Sequence, residues 1–216
     1  MTRAGYECVL AMNVCCLRLH VLALTLLTIA LSACRPAPPL FTPTAPLLPS
    51  PAAALSADDY AIYDAVIESN WPGQAVIVME AATTTNYLYA ARNAMVDQTT
   101  ALRPQTLDAF LAANQITYPL ANHFHNGAAY VLLSQADKDK LFTRDLQGSW
   151  QRFHSAYPSA PGLLTFSRPG FNVDQTQALV YFQNGNGPLD AAGYAVLLSR
   201  QAGGWVVQKQ LMIWIA

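Results

Sequence analysis

Polar and apolar positions change period along this 216-residue chain, and each change marks an element. From Ser56, the apolar residues Tyr60, Tyr63, Ile67 and Trp71 recur every three to four positions, the period of a helix with one buried stripe. Ser56 supplies a capping hydroxyl, and Asp58 and Asp59 stand in the first turn, where the helix dipole favours carboxylates. Trp71-Pro72-Gly73 ends that helix. The run Gln74–Ala82 reads as a buried strand, and Thr83–Arg103 has no decisive period. Gln105–Gln115 reads as a short helix behind Pro104, and Ala128–Leu133 as a strand. Ser134 with Asp137 opens a helix predicted to reach about Leu146, and a further short helix covers Trp150–Ala156.

The last third alternates more clearly. Leu163–Ser167, Gln177–Phe182, Tyr194–Leu198 and Trp205–Ile215 are four predicted strands. Between them lie Phe171–Asp174, Asn184–Gly187 and Gly203-Gly204, residues that accept positive φ and make hairpin turns. Short links join antiparallel neighbours, whereas a parallel pair needs a long crossover. The expected class is therefore α+β, with N-terminal helices packed on one face of a C-terminal antiparallel meander of four or more strands.

Ahead of this domain the pattern has a different origin. An apolar stretch, Val21–Leu31, follows Arg3 and Arg18 and closes on Leu31-Ser32-Ala33-Cys34. It is short for a membrane helix, which needs about 20 apolar residues, and fits a secretory leader with a small-residue cleavage site. The arrangement resembles a bacterial lipoprotein signal, in which the cysteine becomes the lipidated first residue. That resemblance implies a leader over 1–33, starting at Met1 or Met12, and lipidation at Cys34. It also implies a mature chain held to the membrane by more than one acyl chain, the number that stable anchoring needs. Residues 34–54 form the lipidated cysteine and a proline-rich linker that favours extended polyproline II, and 55–216 form one domain. Arg35 after the cysteine resembles the outer-membrane pattern of a diderm envelope; in a monoderm the domain would sit on the outer face of the cell membrane.

Composition narrows the partners. Cys8, Cys15 and Cys16 fall in the leader, so a lipidated Cys34 leaves the domain without disulfide, thiolate metal site or cysteine nucleophile. Ten basic and twelve acidic residues are spread thinly after Cys34, with no run of either sign. The basic stripe of a nucleic-acid binder is absent, so none is expected as a partner. Charged residues make up 12% of the chain against about 25% in ordinary globular proteins.

The string Ser167–Tyr181, with Gly193–Leu198, Gly204–Val207 and Trp214-Ile215, looks like a signature of many bacterial secreted proteins and lipoproteins of unknown function. Tyr130–Ser134, Trp150, Phe153, Tyr157-Pro158 and Gly162 are similar to the same group. The resemblance spans Ser56 to Ala216 and implies a shared fold, with no catalytic residue.

Candidate chemistry is sparse. His123 and His125 would share one face of a strand, and with His154 could bind zinc, the one cofactor that reading admits. Glu80 or Asp97 would then serve as base toward a bound water. The bland reading makes them surface histidines beside the turn residues Asn122 and Asn126-Gly127. Arg168, Asn172, Asp174 and Thr176 place oxygens as a calcium loop would, but lack its glycine and terminal glutamate, and an Asx turn explains them without any ligand, which is the favoured reading. Ser134, Ser149 and Ser155 sit in no nucleophile elbow. Trp71, Trp150, Trp205, Trp214 and the tyrosines could line an apolar groove, with the core as the favoured reading. The leading expectation is a non-catalytic envelope or binding module, tethered through Cys34, with a protein or small-molecule ligand. Its rivals are a metal-dependent hydrolase using His123, His125 and His154, and a structural spacer.

Overall fold

A computed structural model describes residues 54–216. The expected leader, Cys34 and the linker through residue 53 lie outside the described residues. Helix α1 (Ala57–Asn70) begins where the sequence places it, because Ser56 and Asp59 satisfy each other's backbone. The Ser56 Oγ accepts from the Asp59 N–H at 3.2 Å, and the Asp59 carboxylate accepts from the Ser56 N–H at 2.7 Å. Its stripe of Tyr60, Tyr63, Val66 and Ile67 is buried, and Trp71 closes the helix while packing against Phe182.

Strand β1 (Val76–Glu80) lies parallel to both β2 (Ala129–Leu133) and β3 (Leu163–Phe166). The connection from β1 to β2 carries α2 (Leu88–Gln98) and α3 (Pro104–Ala113). That from β2 to β3 carries α4 (Gln135–Leu141) and α5 (Leu146–Ala156). Beyond β3 the chain turns antiparallel through β4 (Gly170–Phe171), β5 (Gln177–Gly187), β6 (Asp190–Gln201) and β7 (Gly204–Ile215). The seven strands run β2-β1-β3-β5-β6-β7, with β4 paired to β5.

Helices and a largely segregated C-terminal meander are therefore present, but the sheet differs from the expected one. It is mixed, because the two long helical connections permit parallel pairing that a hairpin link cannot. The helices interleave with the strands and cover both faces. Ile77, Met79, Leu164, Val180, Phe182 and Val196 pack with α1 on one side. Leu179, Tyr181, Ala195 and Leu197 pack with Leu88 and Met95 of α2 and Phe110 of α3 on the other. Val78 and Leu163 meet Phe153 of α5 on that second side. Each large apolar side chain so buried contributes about 1.5–3 kcal/mol.

Three local expectations also change. The helix opened by Ser134 stops at Leu141 instead of Leu146, and the next begins at Leu146, capped by Asp145, instead of Trp150. Asn184–Gly187 continues β5, and the hairpin turn falls at Pro188-Leu189. The undecided stretch Thr83–Arg103 contains α2, whose three buried residues, Leu88, Ala91 and Met95, keep helical spacing in an otherwise polar run.

The stretch quoted in the bacterial signature folds as a clasp on α3. Asn114 clamps the Arg168 backbone, its amide donating to the carbonyl at 2.7 Å and its oxygen accepting from the N–H at 2.8 Å. Gln177 accepts from the Arg103 N–H and the Thr106 hydroxyl, both at 2.8 Å, and donates to the Ala101 carbonyl. Gly170 lies so near α3 that a Cβ there would overlap the Phe110 backbone. Gly170→Ala must push α3 off the sheet; urea unfolding is expected to show a loss of about 3 kcal/mol, the upper range for overpacking.

Candidate functional site

On the second face, α2 and α5 stand apart, and the sheet between them is left uncovered. The floor is built from Asn184 and Gly185 of β5, Ala191 of β6, and Leu163 and Thr165 of β3. Trp150 reaches over from α5, its ring 3.1 Å from where a Cβ on Gly185 would stand. From the edge strand, Trp214 lies across Gly193, where a Cβ would collide with the indole nitrogen. Glu80, at the end of β1, and Gln183 of β5 complete a cavity of about 180 Å³.

Hydrogen bonds set these walls in place. The Trp214 Nε1–H donates to the Tyr181 hydroxyl at 2.8 Å, and that hydroxyl donates to Gln183 Oε1 at 3.2 Å. Burial pushes the Tyr181 phenol well above its ordinary range, and the Trp214 bond pulls against that, so it stays neutral and keeps its proton for Gln183. Glu80 is paired with Lys138 of α4 at 2.7 Å, both about a quarter exposed, which leaves the cavity without net charge. Tyr87 extends the aromatic wall. It precedes α2 with a left-handed backbone (φ 58°), is half exposed, and sets its ring 5.2 Å from Trp214. Such a backbone costs a non-glycine residue of order 1–3 kcal/mol and recurs at ligand sites.

The histidines go elsewhere. His123 and His125 lie in an irregular segment, and Phe124 between them turns inward to stack on Tyr130 at 4.0 Å. Asp64 of α1 holds this segment by accepting from the His125 N–H and the Tyr130 hydroxyl. Both imidazoles are exposed, His123 lying edge-on to Tyr60 on the α1 side of the sheet. His154 sits on α5 across the sheet, its Nε2 2.9 Å from the Asn186 carbonyl oxygen. Among the described residues, no three His, Cys, Asp or Glu side chains converge for a metal ion. The residues do not fit the zinc centre, because the sheet separates His154 from the other two. Of its two candidate bases, Glu80 is engaged with Lys138 and Asp97 is exposed on α2. Replacing both His123 and His125 by Ala is expected to change stability by under about 0.5 kcal/mol. Phe124→Ala should cost about 2 kcal/mol in the same denaturation assay.

The second candidate set also disperses. Asn172 forms the Asx turn, its side-chain oxygen accepting from the Thr176 and Gln177 N–H groups at 2.9 and 2.8 Å. Asp174 points to Arg103 at 3.9 Å in solvent. Arg168 turns the other way, stacking on Tyr118 with its guanidinium 4.3 Å from the ring centre and 3.7 Å from Asp59. It borders a shallow cleft of about 400 Å³ shared with Asp58 and Asp59. Its charge is already answered by Asp59, so the cleft reads as the outer side of the clasp. The serines are structural: Ser134 caps α4, Ser149 donates to the Asp145 carbonyl, and Ser155 to the Gln151 carbonyl.

Sequence reasoning named the tryptophans without separating them. Trp71 and Trp205 pack into the core, whereas Trp150 and Trp214 line the groove. Tyr87, Thr165 and Gln183 were not singled out. The available signal was Gly193 inside a strand pattern, which marks a close approach to the backbone. No protein-family model, curated protein or solved structure matches this chain.

Asp59 gives the domain a readable pH dependence. Burial raises its carboxyl above the ordinary 3.8, against the opposing hydrogen bonds from Ser56 and the charge of Arg168. The native state then binds the proton more tightly than the unfolded chain. This contribution is whole below pH 3.8 and is lost as pH rises through the raised value. In Asp59→Asn that decline should disappear: unfolding free energy plotted from pH 3.5 upward is expected to be flatter than in wild type, whatever its absolute level.

Proposed function

We propose that this chain is a lipid-anchored, non-catalytic binding module of a bacterial envelope, displayed from Cys34 and binding its ligand in the groove between α2 and α5. The observation that carries the reading is the groove itself. Its two indoles, Trp150 and Trp214, stand over a floor that includes Gly185; packing on Phe142 and Phe153 holds Trp150, and a Trp214–Tyr181–Gln183 relay holds Trp214, before any ligand arrives. A wall positioned in advance lowers the ordering cost of binding. The serine hydroxyls, by contrast, are engaged in caps and backbone bonds, His123 and His125 lie on the other side of the sheet, and His154 packs behind Trp150 with its Nε2 on the Asn186 carbonyl.

Localisation rests on the leader pattern and on the proline-rich run that follows Cys34. About 19 residues of polyproline II at ~3.1 Å each would hold the domain up to about 60 Å from its lipid. Arg35 supports the outer membrane of a diderm, or the outer face of a monoderm membrane.

Two measurements test the two halves. In bacteria fed labelled palmitate, the full chain is expected to carry label and fractionate with membranes, and Cys34→Ala to lose both. A labelled Cys34→Ala would overturn the anchor. For the groove, the melting temperature of the purified protein is expected to rise by about 2–5 °C in an aqueous extract of bacterial envelopes, by mass action on the native state. Trp214→Ala should remove that rise, and an extract that leaves wild type unmoved would sink the binding reading.

A further inference from the structure

The groove is specific enough in its chemistry to name a ligand class, and this inference rests on the binding-module reading above. We propose that it takes a neutral oligosaccharide, with one pyranose ring seated between Trp150 and Trp214.

Four observations converge on that class. The first is the pairing of flat aromatic walls with polar ends. The indoles of Trp150 and Trp214 border the cavity that also holds the Glu80 carboxylate and the Gln183 amide. A pyranose matches this arrangement, since its axial C–H groups form an apolar face for an indole while its hydroxyl rim both donates and accepts. A purely apolar ligand would leave Glu80 and Gln183 to be desolvated without return.

Charge is the second. Glu80 is neutralised by Lys138 at 2.7 Å, so the site has no free cation for a phosphate or carboxylate. A ligand cation would have to displace Lys138. Neutral ligands meet neither penalty.

Size is the third. About 180 Å³ is below the ~300–1,000 Å³ of a site that engulfs a drug-sized ligand. One ring fits inside, and the remainder of the ligand must lie along the surface. The fourth observation supplies part of that surface: Tyr87, half exposed and held at positive φ, packs its ring against Trp214, with centroids 5.2 Å apart and planes tilted by 32°. An exposed ring beside the cavity suits a ligand that extends past the seated ring better than a lone monosaccharide.

The pocket is also fixed in shape. Trp214 can lie flat only because residue 193 is glycine, and its Nε1–H is held by Tyr181. The same hydroxyl donates to Gln183 Oε1, which orients the amide. The NH₂ of that side chain is thereby turned to donate to a sugar hydroxyl.

The test is isothermal titration of the purified protein with β-1,4-linked tetramers of glucose and of N-acetylglucosamine. A galacturonate tetramer and the capped neutral peptide acetyl-Trp-Gly-Leu-amide serve as comparisons. At least one neutral tetramer is expected to bind with Kd on the order of 0.1–1 mM, as one buried ring allows. It should also shield tryptophan emission from acrylamide in wild type, a readout independent of any variant's folding. Trp150→Ala and Gln183→Leu should each weaken binding at least tenfold, and Val173→Ala, exposed in the distant β4–β5 turn, should leave it unchanged.

Failure of both neutral tetramers to bind, or equal binding by Trp150→Ala and Gln183→Leu, overturns the proposal. If the tetramers fail while envelope extract still raises the melting temperature through Trp214, the sugar class falls and the binding module stands. Tighter binding of the peptide than of either sugar likewise overturns the sugar class. An extract that gives no shift at all removes the module reading itself.

Discussion

Six consecutive residues of β5, Gln177 to Phe182, are buried, and this strand sits near the middle of the sheet with β3 and β4 on one side and β6 on the other. A strand buried at consecutive positions has side chains packed on both faces, so both faces must be covered. That requirement explains why the chain sends α1 to one side and α2, α3 and α5 to the other. It also explains the mixed topology: the helices needed on the second face are carried by the long β1–β2 and β2–β3 connections, and such connections bring their strands back parallel. Gln177 ties the arrangement together, because its side chain satisfies three groups leading into α3 and so docks that helix against the end of β5.

Covering is incomplete in one place, and the reason is steric. Between α2 and α5 the sheet surface carries Gly185, Ala191 and Gly193, which offer a helix little to pack against but let an indole approach the backbone. Trp150 and Trp214 fill part of that space from opposite sides and leave a slot between them. The strained Tyr87 packs beside this slot, its ring meeting both Trp214 and Tyr181. The groove thus arises from the same small residues that would weaken an ordinary strand.

Much of the fold was legible in local pattern. The α1 cap, the Pro104 helix start, the Ser134 cap and the three long strands follow from residues that act on their immediate neighbours. Helix α2 was not legible, because its polar exposed face dilutes the three residues it buries. Strand order was not legible either. Pairing of β1 with β2 and β3 depends on which faces remain to be covered after the chain has collapsed, and no short motif records that. The site shows the same division: tryptophans and a mid-strand glycine were visible, but Gln183 became a site residue only when Tyr181 aimed it.

By itself the sequence determined the α1 cap, the helix starts at Pro104 and Ser134, the Asx turn at Asn172, the thin charge and the leader pattern ending at Cys34, all of them short-range or compositional properties. Only the tertiary structure decided that His154 lies across the sheet from His123 and His125, that Arg168 answers Asp59 instead of Asn172 and Asp174, and that two of four tryptophans line one groove. Each of these depends on which side of a seven-stranded sheet an element packs. That choice is made by burial summed over the whole chain, and residue spacing carries little trace of it.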